Sequence, residues 1–210
     1  MSSANRLSGS RHVSSANRLS GSQCHDENEE EDEEVYDANT KIKRIRNRIS
    51  FHSEVNRGSI YELISHIRKA ENENIVLSHE LNIGEIPIYL YINSDGGSVF
   101  DALTAIDVIL SCKMPVYTII EGATASAGTL MSVVGKKRYI RRNAHMLIHQ
   151  LSAGSWGKMN ELEDEYENNR RIMEKIKEIY KKHTHLPKKE LGEILKHDLW
   201  GDAEKGLQMG

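Results

Sequence analysis

Apolar positions fall into two alternating periods along this chain, and they begin near Lys41. Lys41-Ile-Lys-Arg-Ile-Arg-Asn-Arg48 reads as an edge strand with its Lys and Arg facing solvent, and Arg48-Ile-Ser-Phe51 continues it. Ser59-Ile-Tyr-Glu62 has capping-box form, and Ile60, Leu63, Ile64 and Ile67 follow at helical spacing. Ile86-Pro-Ile-Tyr-Leu-Tyr-Ile-Asn93 is apolar at almost every position, which predicts a parallel strand buried on both faces. Ser94-Asp-Gly-Gly97 ends that strand as a turn. Ser98 then opens a helix whose apolar positions are Val99, Leu103, Ile106, Val108 and Ile109.

A strand over 115–121 and a small-residue helix from about 124 come next, then strand-like stretches over 138–141 and 145–150. An amphipathic helix is predicted over roughly 158–183, with Leu162, Tyr166, Met173, Ile176 and Tyr180 along one side. Leu186–Leu195 suggests a last short helix, with Pro187 in its first turn. Strands alternating with helices define an α/β fold.

Residues 1–40 lack such a pattern. Ser2-Ser-Ala-Asn-Arg-Leu-Ser-Gly-Ser10 recurs as Ser14 to Ser22, with too little apolar surface to offset ordering entropy. The run Asp26–Glu34 then carries eight carboxylates in nine residues, a solvated, self-repelling segment. The expected organisation is a disordered tail over 1–40 and one folded domain over 41–210.

Charge and cysteine content narrow the class. Residues 1–40 hold three Arg against nine acids, and residues 41–210 hold 25 basic and 22 acidic residues, so neither part suggests a nucleic-acid surface. Cys24 and Cys112 are the only cysteines, which implies no disulfide framework and a reducing compartment. No apolar run has membrane-spanning length. Cys24-His25 has no second Cys/His pair at ligand spacing, so no metal is expected. The composition reads as a soluble cytoplasmic protein.

The chemistry centres on Gly122-Ala-Thr-Ala-Ser-Ala-Gly128, where Ser126 sits between a strand and a helix among residues too small to shield it. A serine hydroxyl attacks a carbonyl when a base removes its proton and donors receive the oxyanion. His149 in His145-Met-Leu-Ile-His-Gln150 is the candidate base, and His145 shares its strand face. Asp198 is the candidate that holds the imidazole. Backbone amides of the Asp95-Gly96-Gly97 turn and of Ala127 are the candidate oxyanion donors. Taken singly, each has an ordinary structural reading: close-packing filler, a structural histidine, a helix-terminal aspartate, a tight turn. Their joint pattern makes the case. Thr124 stands two residues before Ser126 and the order is Ser, His, Asp, so the Gly-x-Ser-x-Gly elbow of the α/β-hydrolases is absent.

Residues from about Arg48 to Gly210 resemble the proteolytic subunit of the Clp protease, ClpP, a serine peptidase family. The resemblance rests on Ile88-Tyr-Leu-Tyr-Ile-Asn-Ser-Asp-Gly-Gly97, Gly122–Gly128, Asn143-Ala-His-Met-Leu-Ile-His-Gln150 and the tail Asp198–Gly210. It implies a ClpP/crotonase-like spiral of repeated ββα units with a protruding handle helix. It implies Ser126 as nucleophile, His149 as base, Asp198 as its partner, and Gly97 and Ala127 as the oxyanion hole. Leu151-Ser-Ala-Gly-Ser-Trp-Gly157 matches the handle, whose strand edge would pair with substrate; Gly96, Leu151, Ser152 and Gly154 are the substrate-binding candidates.

The implied function is a serine endopeptidase that cleaves unfolded polypeptides inside stacked homo-oligomeric rings. A partner AAA+ unfoldase would use the ATP, so no cofactor is expected in this chain. The sequence departs from the family at Leu151, where Pro is usual, in its N-terminal part, and at Gly210, beyond which the family continues, so a truncated or divergent end is expected. Three other readings stand beside this one: a Ser-Lys signal-peptide-peptidase-like protease with Lys136 or Lys137 as base, a crotonase-type acyl-CoA enzyme, and a catalytically silent ring subunit or adaptor.

Overall fold

The computed structural model describes residues 41–210; the tail expected over 1–40, with its repeat and acidic run, lies outside them. The chain enters as a hairpin, β1 (Ile42–Ile45) paired antiparallel with β2 (Arg48–Phe51). The single strand expected across this stretch is therefore broken. Arg46 adopts φ 55 and turns the chain back on itself. Helix α1 (Arg57–Glu80) follows. Its capping box is Asn56 with Ser59, three residues ahead of the expected one: Ser59 N–H donates to Asn56 Oδ1 and Asn56 N–H to Ser59 Oγ, both at 3.0 Å. Ile60, Leu63 and Ile67 of the expected stripe are buried, while Ile64 is partly so.

Strand β3 (Ile88–Ser94) alternates rather than being buried on both faces. Ile88, Leu90, Ile92 and Ser94 point into the core, and Tyr89, Tyr91 and Asn93 are half-buried. Tyr89 and Tyr117 meet edge to face at 5.6 Å, and the Arg141 guanidinium lies 5.7 Å from the Tyr91 ring centre, so this tyrosine side is amphipathic. Helix α2 (Val99–Ser111) is capped by Ser98, which accepts from Asp101 N–H at 3.2 Å. Its inward face is Ala102, Ala105, Ile106 and Ile109. Val99, Leu103 and Val108, expected there, are only partly buried. The small alanines let α2 approach its neighbours closely.

Strand β4 (Val116–Ala125) runs four residues further than expected, and α3 (Ala127–Val133) begins directly after Ser126. Strands β5 (Lys137–Ile140) and β6 (His145–Leu147) both pair with β4 in parallel. β5 takes positions 117–120 and β6 takes 123–125, and Gly122 (φ 63) lies between the two segments. Helix α4 (Met159–His183), α5 (Lys188–Ile194), β7 (Trp200–Gly201) and α6 (Ala203–Met209) complete the chain. Pro187 caps α5 instead of lying inside its first turn. The sheet order is β1-β2-β3-β4-β6-β7, with β5 also on β4; β2, β3 and β4 are parallel and joined through α1 and α2. The result is the expected α/β spiral of strand–helix units, with β1 at an edge. Only the C-terminal half of α4, through Ile176, Ile179 and Tyr180, is buried in this body.

Candidate active site

The parallel strands deliver the site. Gly96 and Gly97 follow the end of β3, Ser126 follows the end of β4, and His149 follows the end of β6 by two residues. Ser126 N–H donates to Leu147 O at 2.9 Å, which extends the β4–β6 ladder onto the serine and brings His149 alongside. Ser126 has φ 52 and ψ −123, a conformation that side chains avoid and that functional sites hold at a cost of ~1–3 kcal/mol. The positive φ turns the side chain out of the strand while the helix starts at once.

Ser126 and His149 line one groove of about 420 Å³, with Gly97, Ala127, Leu151 and Ser152. Two amides in that groove have no partner among the described residues. Val55 N–H donates to Gly96 O and Ser98 N–H to Val55 O, both at 2.7 Å, as in a parallel bridge centred on Gly97. That pattern leaves the N–H of Gly97 itself facing away from Val55. Ala127 N–H opens α3, before the first intrahelical bond. Gly97 (φ 139) admits no side chain, because an added Cβ would meet the Val55 carbonyl.

The remaining predicted positions divide. Gly96 lies buried behind the serine, where an added Cβ would come within 2.7 Å of Ser126 Cβ. Gly154 is exposed, a Cβ added there would meet nothing within 4 Å among the described residues, and 151–156 form no strand. Leu151 N–H is taken by Met173 Sδ at 3.3 Å. His145 is exposed and does not line the groove. Asp198 is exposed in the turn before β7, outside the groove, and no hydrogen bond links it to His149, nor His149 to Ser126. The Gln150 N–H bond to Leu195 O, 2.9 Å, nevertheless holds the two segments that carry His149 and Asp198 side by side.

Lys136 and Lys137 lie elsewhere. Lys137 pairs with Tyr117, eight residues before Ala125 along β4 and roughly 25 Å from the serine end at 3.3 Å per residue. Its Nζ sits 5.2 Å from the Tyr117 ring centre. Sequence reasoning missed the groove's apolar walls, Val99, Phe100, Leu130 and Ile176. Val99, Phe100 and Leu130 lie just after the glycine turn or the serine, whereas Ile176 was hidden within the stripe of the long helix.

A strained serine between a parallel strand and a helix shares a groove with a histidine and two amides that have no partner among the described residues, the parts that acyl transfer uses. The chain belongs to the Clp protease family, whose sequence profile matches residues 30–210. It is similar to the ATP-dependent Clp protease proteolytic subunit 2 of Treponema pallidum, 34% identical over 126 residues, covering 59% of this chain and 63% of that protein. The ATP-dependent Clp protease proteolytic subunit of Deinococcus radiodurans is 34% identical over 128 residues, covering 60% and 63%. Subunit 2 of Treponema denticola is 31% identical over 153 residues, covering 70% and 76%. The chain thus spans a little under two thirds of the first two relatives.

Proposed function

We propose that this chain is a serine endopeptidase acting on unfolded polypeptides within a homo-oligomeric chamber. The observation that carries this reading is the strained Ser126 in one groove with His149 and the free amides of Gly97 and Ala127. In the proposed reaction His149 takes the Ser126 hydroxyl proton as Oγ bonds to the substrate carbonyl carbon. The oxyanion lies on the Gly97 and Ala127 amides. Collapse breaks the C–N bond, and His149 returns the proton to the leaving amine. Water then repeats the sequence on the acyl-enzyme. Asp198 is assigned to orient the imidazole, reached by a local movement of residues 196–199 toward His149. Leu151 and Ser152 receive the peptide, and the apolar walls suit an apolar side chain beside the scissile bond.

The relatives are named as proteolytic subunits of ATP-dependent proteases, which supports a partner ATPase as the site of ATP use, with no cofactor in this chain. Among the described residues no helix is long and apolar enough to cross a membrane. The test is fluorophosphonate labelling with peptide hydrolysis, on wild type, Ser126→Ala, His149→Ala and Asp198→Ala. Wild type labels. Ser126→Ala and His149→Ala lose labelling and turnover, and Asp198→Ala loses on the order of 10⁴ in kcat. Undiminished hydrolysis by Ser126→Ala sinks the assignment.

A further inference from the structure

The carbonyl of Ser126 is held by more donors than the backbone of helix α3 alone supplies. It accepts from Thr129 N–H at 3.0 Å and from Leu130 N–H at 3.4 Å. Thr129 Oγ1 adds a third bond, at 2.6 Å. A threonine hydroxyl has one proton, and this bond uses it. The 2.6 Å contact between Thr129 Oγ1 and Tyr180 Oη therefore has the tyrosine as donor. Both side chains are sealed from solvent, Thr129 at 0% and Tyr180 at 1% exposure. Burial lifts the Tyr180 phenol above its ordinary ionisation range, more than the Thr129 bond lowers it, so it remains a donor at any working pH. A relay thus runs from α4 through α3 to the backbone of Ser126.

The Ser126 carbonyl and the Ala127 N–H belong to one planar trans peptide and point in opposite directions. Fixing the oxygen on one side fixes the aim of the N–H on the other. Among the described residues Ala127 N–H has no bond of its own to set that aim.

We propose that Thr129 and Tyr180 are positioning residues that aim the Ala127 amide at the oxyanion. This rests on the peptidase reading above. An oxyanion donor acts mainly on the transition state, so its misalignment lowers kcat and leaves substrate binding intact. A relay that merely satisfied buried hydroxyls would affect stability without separating the two.

The experiment compares assembled wild type with Tyr180→Phe, Thr129→Val and Thr129→Ser. Loss of a whole oxyanion donor costs on the order of 10²–10³, and re-aiming one costs less, about tenfold. Tyr180→Phe and Thr129→Val each lose that factor in kcat with KM within about twofold. Affinity for a peptide boronate falls in parallel with kcat, whereas a product peptide binds as before. Thr129→Ser keeps the hydroxyl and restores kcat. The proposal is overturned if folded Tyr180→Phe matches wild type in kcat and boronate affinity, or if Thr129→Ser is as impaired as Thr129→Val. Tyr180→Phe removes one oxygen and carries the test alone if Thr129→Val does not fold. If wild type neither cleaves nor labels, the peptidase reading itself fails, and the catalytic role of the relay falls with it.

Discussion

Gly96 shows how little room surrounds the serine. Its φ of 95 is the left-handed region, and an added Cβ would meet Ser126 Cβ at 2.7 Å and the Ala125 carbonyl oxygen at 2.9 Å. Gly96→Ala must push the serine, the glycine turn, or both. A displacement of about 1 Å at a reacting group costs on the order of 10² in rate. Fluorophosphonate labelling of Gly96→Ala is expected to slow by that factor, and labelling at the wild-type rate would show that the turn yields freely. The glycines and the serine were legible as residues because their types are rare in that order. Asp198 was legible as a type and not as a position, since its place depends on an exposed turn with no periodic pattern. Thr129 and Tyr180 stayed hidden as a pair. They are 51 residues apart, and Tyr180 counted as one more apolar step of a stripe.

At the scale of elements, caps and strand ends set the geometry. Asn56 and Ser59 close the N-terminus of α1 immediately after Val55, whose backbone bridges Gly97. Asn56→Ala is expected to cost about 1 kcal/mol of stability, and Asn56→Asp much less. Urea unfolding of the two variants measures it, and equal midpoints would remove the cap from the account. The strands and long helices were legible because alternation and the 3.6-residue period are local. Their limits were not. β4 continues through Gly122, a residue that ordinarily punctuates a strand, because β6 offers a fresh partner just where β5 is left behind. The inward face of α2 was only half read, through Ile106 and Ile109, because Ala102 and Ala105 contribute little to an apolar period yet are fully buried. β7 and α6 went unseen; two and seven residues are too few to show a period.

Over the whole molecule, α4 is divided in two. Its C-terminal half is core, while Met159 and Tyr166 in the other half are 70% and 68% exposed, with Trp156 fully exposed just before the helix. Tyr166 belongs to the stripe predicted along the helix and Met159 lies seven residues before it, an apolar surface left exposed among the described residues. In the proposed assembly another subunit covers it. Met159→Glu with Tyr166→Glu is therefore expected to lower the assembled mass in size-exclusion with light scattering while the melting temperature of the separated chain stays within about 2 °C, because exposed substitutions rarely change stability by more than about 0.5 kcal/mol. Unchanged assembly would place the contact elsewhere.

The Leu151 amide is the last detail with a consequence. At rest it spends its proton on the sulfur of Met173, a weak acceptor. An arriving peptide carbonyl is a stronger one. On the proposed reading, docking there would be an exchange of acceptors rather than the capture of a bare donor. The same thioether ties that exchange to redox state: oxidised to its sulfoxide, Met173 would carry an oxygen that competes with the peptide on equal terms.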